Sequence, residues 1–87
     1  MSSNAIPHII IYGKPDCHLC ELAYELVLGL KNEFAFTLEK IDITTDATLH
    51  EKYRDKIPVL AVNERITLCA PIRTADVRHA LAQETRA

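Results

Sequence analysis

The run Ile9-Ile10-Ile11 constrains this chain more tightly than any other feature. Three consecutive β-branched residues favour extended backbone, because their side chains are stiff in a helix and sit well on a pleated surface. Side chains alternate across a strand, so an unbroken apolar run sends apolar groups to both of its faces. A strand over His8–Tyr12 therefore belongs inside a sheet that is covered on both sides. Gly13-Lys14-Pro15-Asp16 then ends the pattern with turn residues.

The rest of the chain supplies what such a strand needs. Apolar residues fall at Leu19, Leu22, Ala23, Leu26, Val27 and Leu30. Spacings of three and four gather them on one stripe of a helix of about four turns. Gly29 lowers its propensity without ending it. A second strand is expected over Phe36–Ile43, although its alternation slips between Leu38 and Ile41. Thr44, Thr45 and Asp46 are N-cap residues for a short helix on which Leu49 and Tyr53 share a face. The runs Ile57–Val62 and Arg65–Cys69 flank the polar pair Asn63-Glu64, which predicts a β-hairpin on a weaker turn signal than Asn-Gly. Ala70-Pro71 closes it. Thr74 is expected to cap a last helix that offers Ile72, Ala75, Val77, Ala80 and Leu81 for packing.

The predicted order is thus β-α-β-α-β-β-α. A helical crossover makes the first two strands parallel, with a right-handed connection. The hairpin adds antiparallel strands, so the expectation is an α/β domain with a four-stranded mixed sheet and helices on both faces. At 87 residues and 48% hydrophobic content the chain suffices for one domain, residues 1–87 with a core over about 8–82.

A formal charge of -2, with acidic and basic residues interspersed, speaks against a nucleic-acid or membrane-surface binder. The densest basic stretch, Lys52, Arg54 and Lys56, is interrupted by Tyr53 and Asp55 and is expected to be a solvated helix end. No apolar run approaches the ~18 residues of a membrane span. Met1–Asn4 is polar and uncharged, and no apolar segment of secretory type follows it. Three cysteines match a secreted disulfide framework poorly. A monomer in the reducing cytoplasm is expected.

Two of those cysteines form Cys17-His18-Leu19-Cys20, just after the buried strand and at the opening of the amphipathic helix. Three positions apart on a first helical turn, two sulfurs come within bonding range. Unpaired N–H groups at the helix start point at Cys17 and not at Cys20. A thiolate is stabilised there, and only the thiolate attacks disulfides. Lys14 and His18 add favourable charge, whereas Asp16 and Glu21 act in the opposite sense. A structural zinc site needs a second, regularly spaced ligand pair, and Cys69, His8, His50 and His79 do not provide one. No metal site is expected. A c-type haem anchor needs histidine directly after the second cysteine, where Glu21 stands. Cys69 is expected to be a packed strand residue.

With Tyr12-Gly13-Lys14-Pro15-Asp16-Cys17-His18-Leu19-Cys20, the helix, and Ile57-Pro58-Val59 in that order, the chain resembles the glutaredoxins. It is most similar to a small glutaredoxin-like family within the thioredoxin-like superfamily, over about residues 8–81. The resemblance implies a thioredoxin-like fold and thiol–disulfide oxidoreductase activity in electron transport, with Cys17 as nucleophile and Cys20 as resolving thiol. It also implies a cis Ile57–Pro58 bond facing the cysteines, with the backbone of Ile57 pairing with an incoming disulfide chain. Lys14, His18, Ile57 and Pro58 are the implied substrate-binding residues. Lys14, and less directly Lys56, would meet a carboxylate of glutathione, the candidate co-substrate; no bound cofactor is implied.

Two departures stand out. His18-Leu19 replaces the usual Pro-Tyr pair. Cys69-Ala70-Pro71 stands where glutaredoxins carry a Gly-Gly pair and an acidic residue that hold the γ-glutamyl end of glutathione, and Asp76 lies too far along to serve. The electron donor is therefore open between glutathione and a thioredoxin-type reductase. Alternative readings are a metal or iron–sulfur binding module that uses Cys17 across a dimer, and a redox-inert adaptor.

Overall fold

A computed structural model describes residues 6–85. The elements are β1 (His8–Gly13), α1 (His18–Gly29), β2 (Thr37–Asp42), α2 (Ala47–Tyr53), β3 (Val59–Val62), β4 (Ile66–Cys69) and α3 (Thr74–Glu84). Their order is the one expected, and the strands lie β2-β1-β3-β4 in one sheet. β1 runs parallel to β2 and antiparallel to β3, and β4 is antiparallel to β3.

β1 is interior, as its isoleucines require. Ile9 and Ile11 point to one face, where they join Val27 and Leu30, Leu60 and Val62, and Val77 and Leu81 in the main core. Burying each isoleucine is worth about 1.5–3 kcal/mol. Ile10 and Tyr12 point to the other face, where the Tyr12 ring lies 4.8 Å, centroid to centroid, from Tyr53 of α2. α1 and α3 thus cover one face and α2 the other. Among the described residues no helix is long and apolar enough to cross a membrane.

Several local details differ from the expectation. The α-helical part of α1 ends at Gly29, and one 3-10 turn, Leu30–Asn32, carries Leu30 into the core. The buried row of α1 is Cys20, Ala23 and Val27, while Leu19 and Leu22 stay exposed. The apolar stripe is wider than the line along which a helix meets a sheet. The Cys20 row takes that line and the Leu19 row is left on the flank.

The slip in β2 has a simple cause. Leu38 and Ile41 are three residues apart and fall on opposite faces, with Leu38 and Lys40 turned to α1, where Lys40 Nζ sits 4.5 Å over the Tyr24 ring. A lysine stem covers apolar surface at this edge strand.

Asp46 is the cap of α2, accepting from the amides of Thr48 and Leu49 at 2.9 and 3.1 Å. Thr44 and Thr45 lie instead in a preceding 3-10 turn that Asp42 caps. Arg73 holds the N-cap position of α3. Its carbonyl accepts from Asp76 and Val77, which places Thr74 inside the first turn. Ala75 is exposed. Cys69 is also exposed and not packed. In β4 only Ile66 and Leu68 turn to the core, and the face that carries Thr67 and Cys69 is open at this edge of the sheet.

Asn63 and Glu64 form a two-residue turn with φ of 55° and 58°, closed by Arg65 N–H donating to the Val62 carbonyl at 3.0 Å. Both central residues are left-handed, as the right-handed twist of the flanking strands demands. Asn63 also accepts from the His8 amide at 2.8 Å and donates to Glu84 at 2.9 Å, tying the hairpin to β1 and α3. Glu64 has no such local compensation for its φ. Glu64→Gly should therefore raise stability by about 0.5–1 kcal/mol, or several degrees in Tm; an unchanged or lower Tm in calorimetry would refute this.

Arg78 of α3 holds Glu33, beyond the end of α1, through two hydrogen bonds of 2.9 and 2.8 Å. Those bonds lower the Glu33 pKa below its ordinary 4.5. The pair's contribution is therefore present above the ordinary glutamate range and fades as pH falls through the folded value. Urea midpoints measured from pH 6 down to pH 3 should show a shallower acid loss in Glu33→Gln than in the parent.

Candidate redox site

The site forms where β1 stops and α1 begins. Cys17 is the N-cap of α1, with extended backbone (φ -104°, ψ 103°). Its Sγ accepts from the Cys20 amide at 3.2 Å, and its carbonyl accepts from the Glu21 amide at 3.1 Å. A sulfur thus takes the place that a Ser or Asp oxygen usually fills at a helix start. Cys17 is half-buried and Cys20 buried. The two sulfurs are joined in a disulfide, with Cα atoms 5.2 Å apart. One sulfur faces outward and the other is covered.

Cys20 is covered partly by Gly13, the last residue of β1. A Cβ at Gly13 would stand 2.9 Å from Cys20 Sγ and 3.0 Å from Cys20 Cβ. Gly13 read in the sequence as one more turn residue; its actual requirement is the close approach of a strand end to the inner cysteine. Its backbone φ is ordinary, since no glycine has positive φ. The signal was only its position four residues before Cys17.

Two depressions flank the start of α1. On the β2 side lies a cleft of about 320 Å³ whose lining includes Lys14, Cys20, Glu21, Tyr24, Lys40 and Asp42. On the β3 side lies a groove of about 400 Å³ that contains Pro58 together with Leu19 and Leu22. Lys14 and Pro58, both implied as substrate contacts, therefore sit on different sides of α1. The Asp42 carboxyl in the cleft is held below its usual range by the Thr44 hydroxyl and then the Thr44 amide.

The Ile57–Pro58 bond is cis, as the resemblance implies, and so is Ala70–Pro71. Pro58 is buried. The Ile57 N–H donates to the Tyr53 carbonyl at 3.1 Å. His18 opens α1 and is exposed, and Lys56 is exposed as well. Among the described residues no three His, Cys, Asp or Glu side chains converge as a metal site would need.

The model of the glutaredoxin-like domain (DUF836) matches residues 8–82. The chain belongs to that family. It is 34% identical to protein Ne2328 from Nitrosomonas europaea, with 87% of this chain and 91% of that one covered at a TM-score of 0.74. It is 31% identical to protein XcR50 from X. campestris, covering 86% and 96% at a TM-score of 0.71. A thioredoxin variant from Halobacterium salinarum superposes with a TM-score of 0.76 over 98% of this chain and 80% of its own, at 14% identity. That likeness shows the thioredoxin-like fold alone. In this glutaredoxin-like domain the fold and the close cysteine pair together support a redox role.

Gly13→Ala tests the packing beneath the pair. A methyl group pressed onto Cys20 should lower stability by about 1–3 kcal/mol, read from denaturant midpoints of the oxidised protein. An unchanged midpoint would mean that β1 and α1 separate freely.

Proposed function

We propose that the protein is a thiol–disulfide oxidoreductase, with Cys17 as nucleophile and Cys20 as resolving thiol. The observation that carries this reading is the asymmetry of the pair: Cys17 caps the helix half-exposed, with an N–H donating to its sulfur, while Cys20 is buried one turn in. An N–H directed at Sγ, at the positive end of a helix, stabilises negative charge on that sulfur.

In the reduced protein the Cys17 thiolate attacks one sulfur of a substrate disulfide. A Cys17–substrate S–S bond forms, the substrate bond breaks, and the departing sulfur takes a proton from water. Cys20 then loses its proton and attacks Cys17 Sγ. The internal disulfide forms, the second substrate sulfur leaves as a thiol, and two electrons have passed from protein to substrate. An external thiol reductant, glutathione or a reductase dithiol, returns the pair to its starting state. In this scheme the Ile57 carbonyl accepts from the substrate backbone beside Pro58. Lys14, which lines the cleft on the other side of α1, offers a cation to an acidic substrate group, and the exposed His18 follows Cys17 directly in the chain.

Cys20→Ser should accumulate a mixed disulfide at Cys17, located by peptide mass spectrometry after incubation with a disulfide substrate. Cys17→Ser should abolish exchange. Intact-mass counting of alkylated thiols across a glutathione buffer series should show one two-electron transition in the parent. An adduct on Cys69 instead, or no transition at all, would overturn the assignment.

A further inference from the structure

The depressions on either side of α1 differ in chemistry. The β2-side cleft carries Lys14, Lys40, Glu21 and Asp42. The β3-side groove is walled by Leu19, Leu22, Leu26, Pro58, Pro71 and Ile72, and none of its lining side chains bears a charge or a hydrogen-bonding group. Leu19 is 59% and Leu22 46% exposed; among the described residues Ile6 and Leu28 are the other large apolar side chains left so open. The groove starts at Leu19, between the two cysteines, and runs along the flank of α1 past the buried Pro58.

We infer that this groove receives an apolar side chain next to the disulfide of a protein substrate. The exchange is thereby directed to protein disulfides flanked by apolar residues, a conclusion that rests on the dithiol chemistry proposed above. The contrast in charge between the two depressions selects the occupant. Glutathione carries two carboxylates and an ammonium group, which need charged or hydrogen-bonding partners once desolvated. The side chains of the groove offer no charge to meet them, and Lys14 and Lys40 line the cleft on the other side of α1. An apolar side chain needs only area removed from water, and here it would also cover two exposed leucines. A volume of about 400 Å³ accommodates a few side chains, not a broad protein face. The electron balance is that of the exchange above: the substrate disulfide gains two electrons and leaves as two thiols. The apolar contact acts before its bond breaks, by holding a substrate sulfur near Cys17.

The test uses the reduced full-length protein and two synthetic peptides, each with one internal disulfide. Their cysteines are flanked by leucine and phenylalanine in one peptide and by serine and glutamate in the other. Each rate is divided by the same peptide's rate with dithiothreitol, and hydroxyethyl disulfide and glutathione disulfide are measured alongside. The parent should prefer the apolar peptide by about tenfold or more. Leu22→Glu and, independently, Ile72→Ser should bring that ratio towards one, a readout that a general loss of thiol reactivity does not move. Equal rates for the two peptides, an unchanged ratio in both variants, or faster reaction with glutathione disulfide than with the apolar peptide would overturn the groove assignment while leaving the redox reading intact. Failure to react even with hydroxyethyl disulfide would overturn the redox reading, and the groove assignment with it.

Discussion

Burial of β1 on both faces organises the molecule. Ile9 and Ile11 need one apolar layer and Ile10 needs another, and the strand order places β1 between β2 and β3. Once it is interior, β2 and β3 must flank it, and α1 must cross back over the Ile9 and Ile11 face to reach β2 in parallel. That crossover sets α1 directly after the carboxyl end of β1. The helix start, and with it Cys17, is delivered to one end of the sheet by the same burial that forms the core.

The difference between the two cysteines follows from this junction. A helix start has amides without partners, and Cys17 occupies the position towards which they point. Cys20 lies one turn further, on the row that α1 presses onto the sheet, and Gly13 lets it approach the end of β1 closely. Contrast in exposure and in available N–H groups comes from helix geometry, without any buried charge; among the described residues no polar or charged residue is fully buried. Two surfaces of unlike chemistry then meet at the pair, charged towards β2 and apolar towards β3.

The edges of the sheet show how a small domain manages partial burial. β2 alternates imperfectly because Lys40 lies over the Tyr24 ring where an apolar residue would otherwise be expected. β4 sends Ile66 and Leu68 inward and leaves Thr67 and Cys69 to solvent. The exposed Cys69 shows that a cysteine in an apolar run follows the alternation of its strand rather than the average burial of its residue type.

Element type and order were legible from local pattern: the triple isoleucine, the three-and-four spacing from Leu19 to Leu30, and the Asn63-Glu64 pair between two apolar runs. The Cys17 and Cys20 pair at a strand-to-helix junction was legible for the same reason, since helix geometry at short separation is a local property. Other features depend on which elements become neighbours. Which row of α1 is buried, that Gly13 must stay small beneath Cys20, that Lys14 and Pro58 flank the helix on opposite sides, and that Leu19, Leu22 and Ile72 share one groove all depend on how separate elements pack together. Strands, helices and the placement of the cysteine pair follow from the sequence alone, because period and capping act within a few residues. Only the tertiary structure decided what surrounds that pair, because surroundings arise from packing between elements that no local pattern encodes.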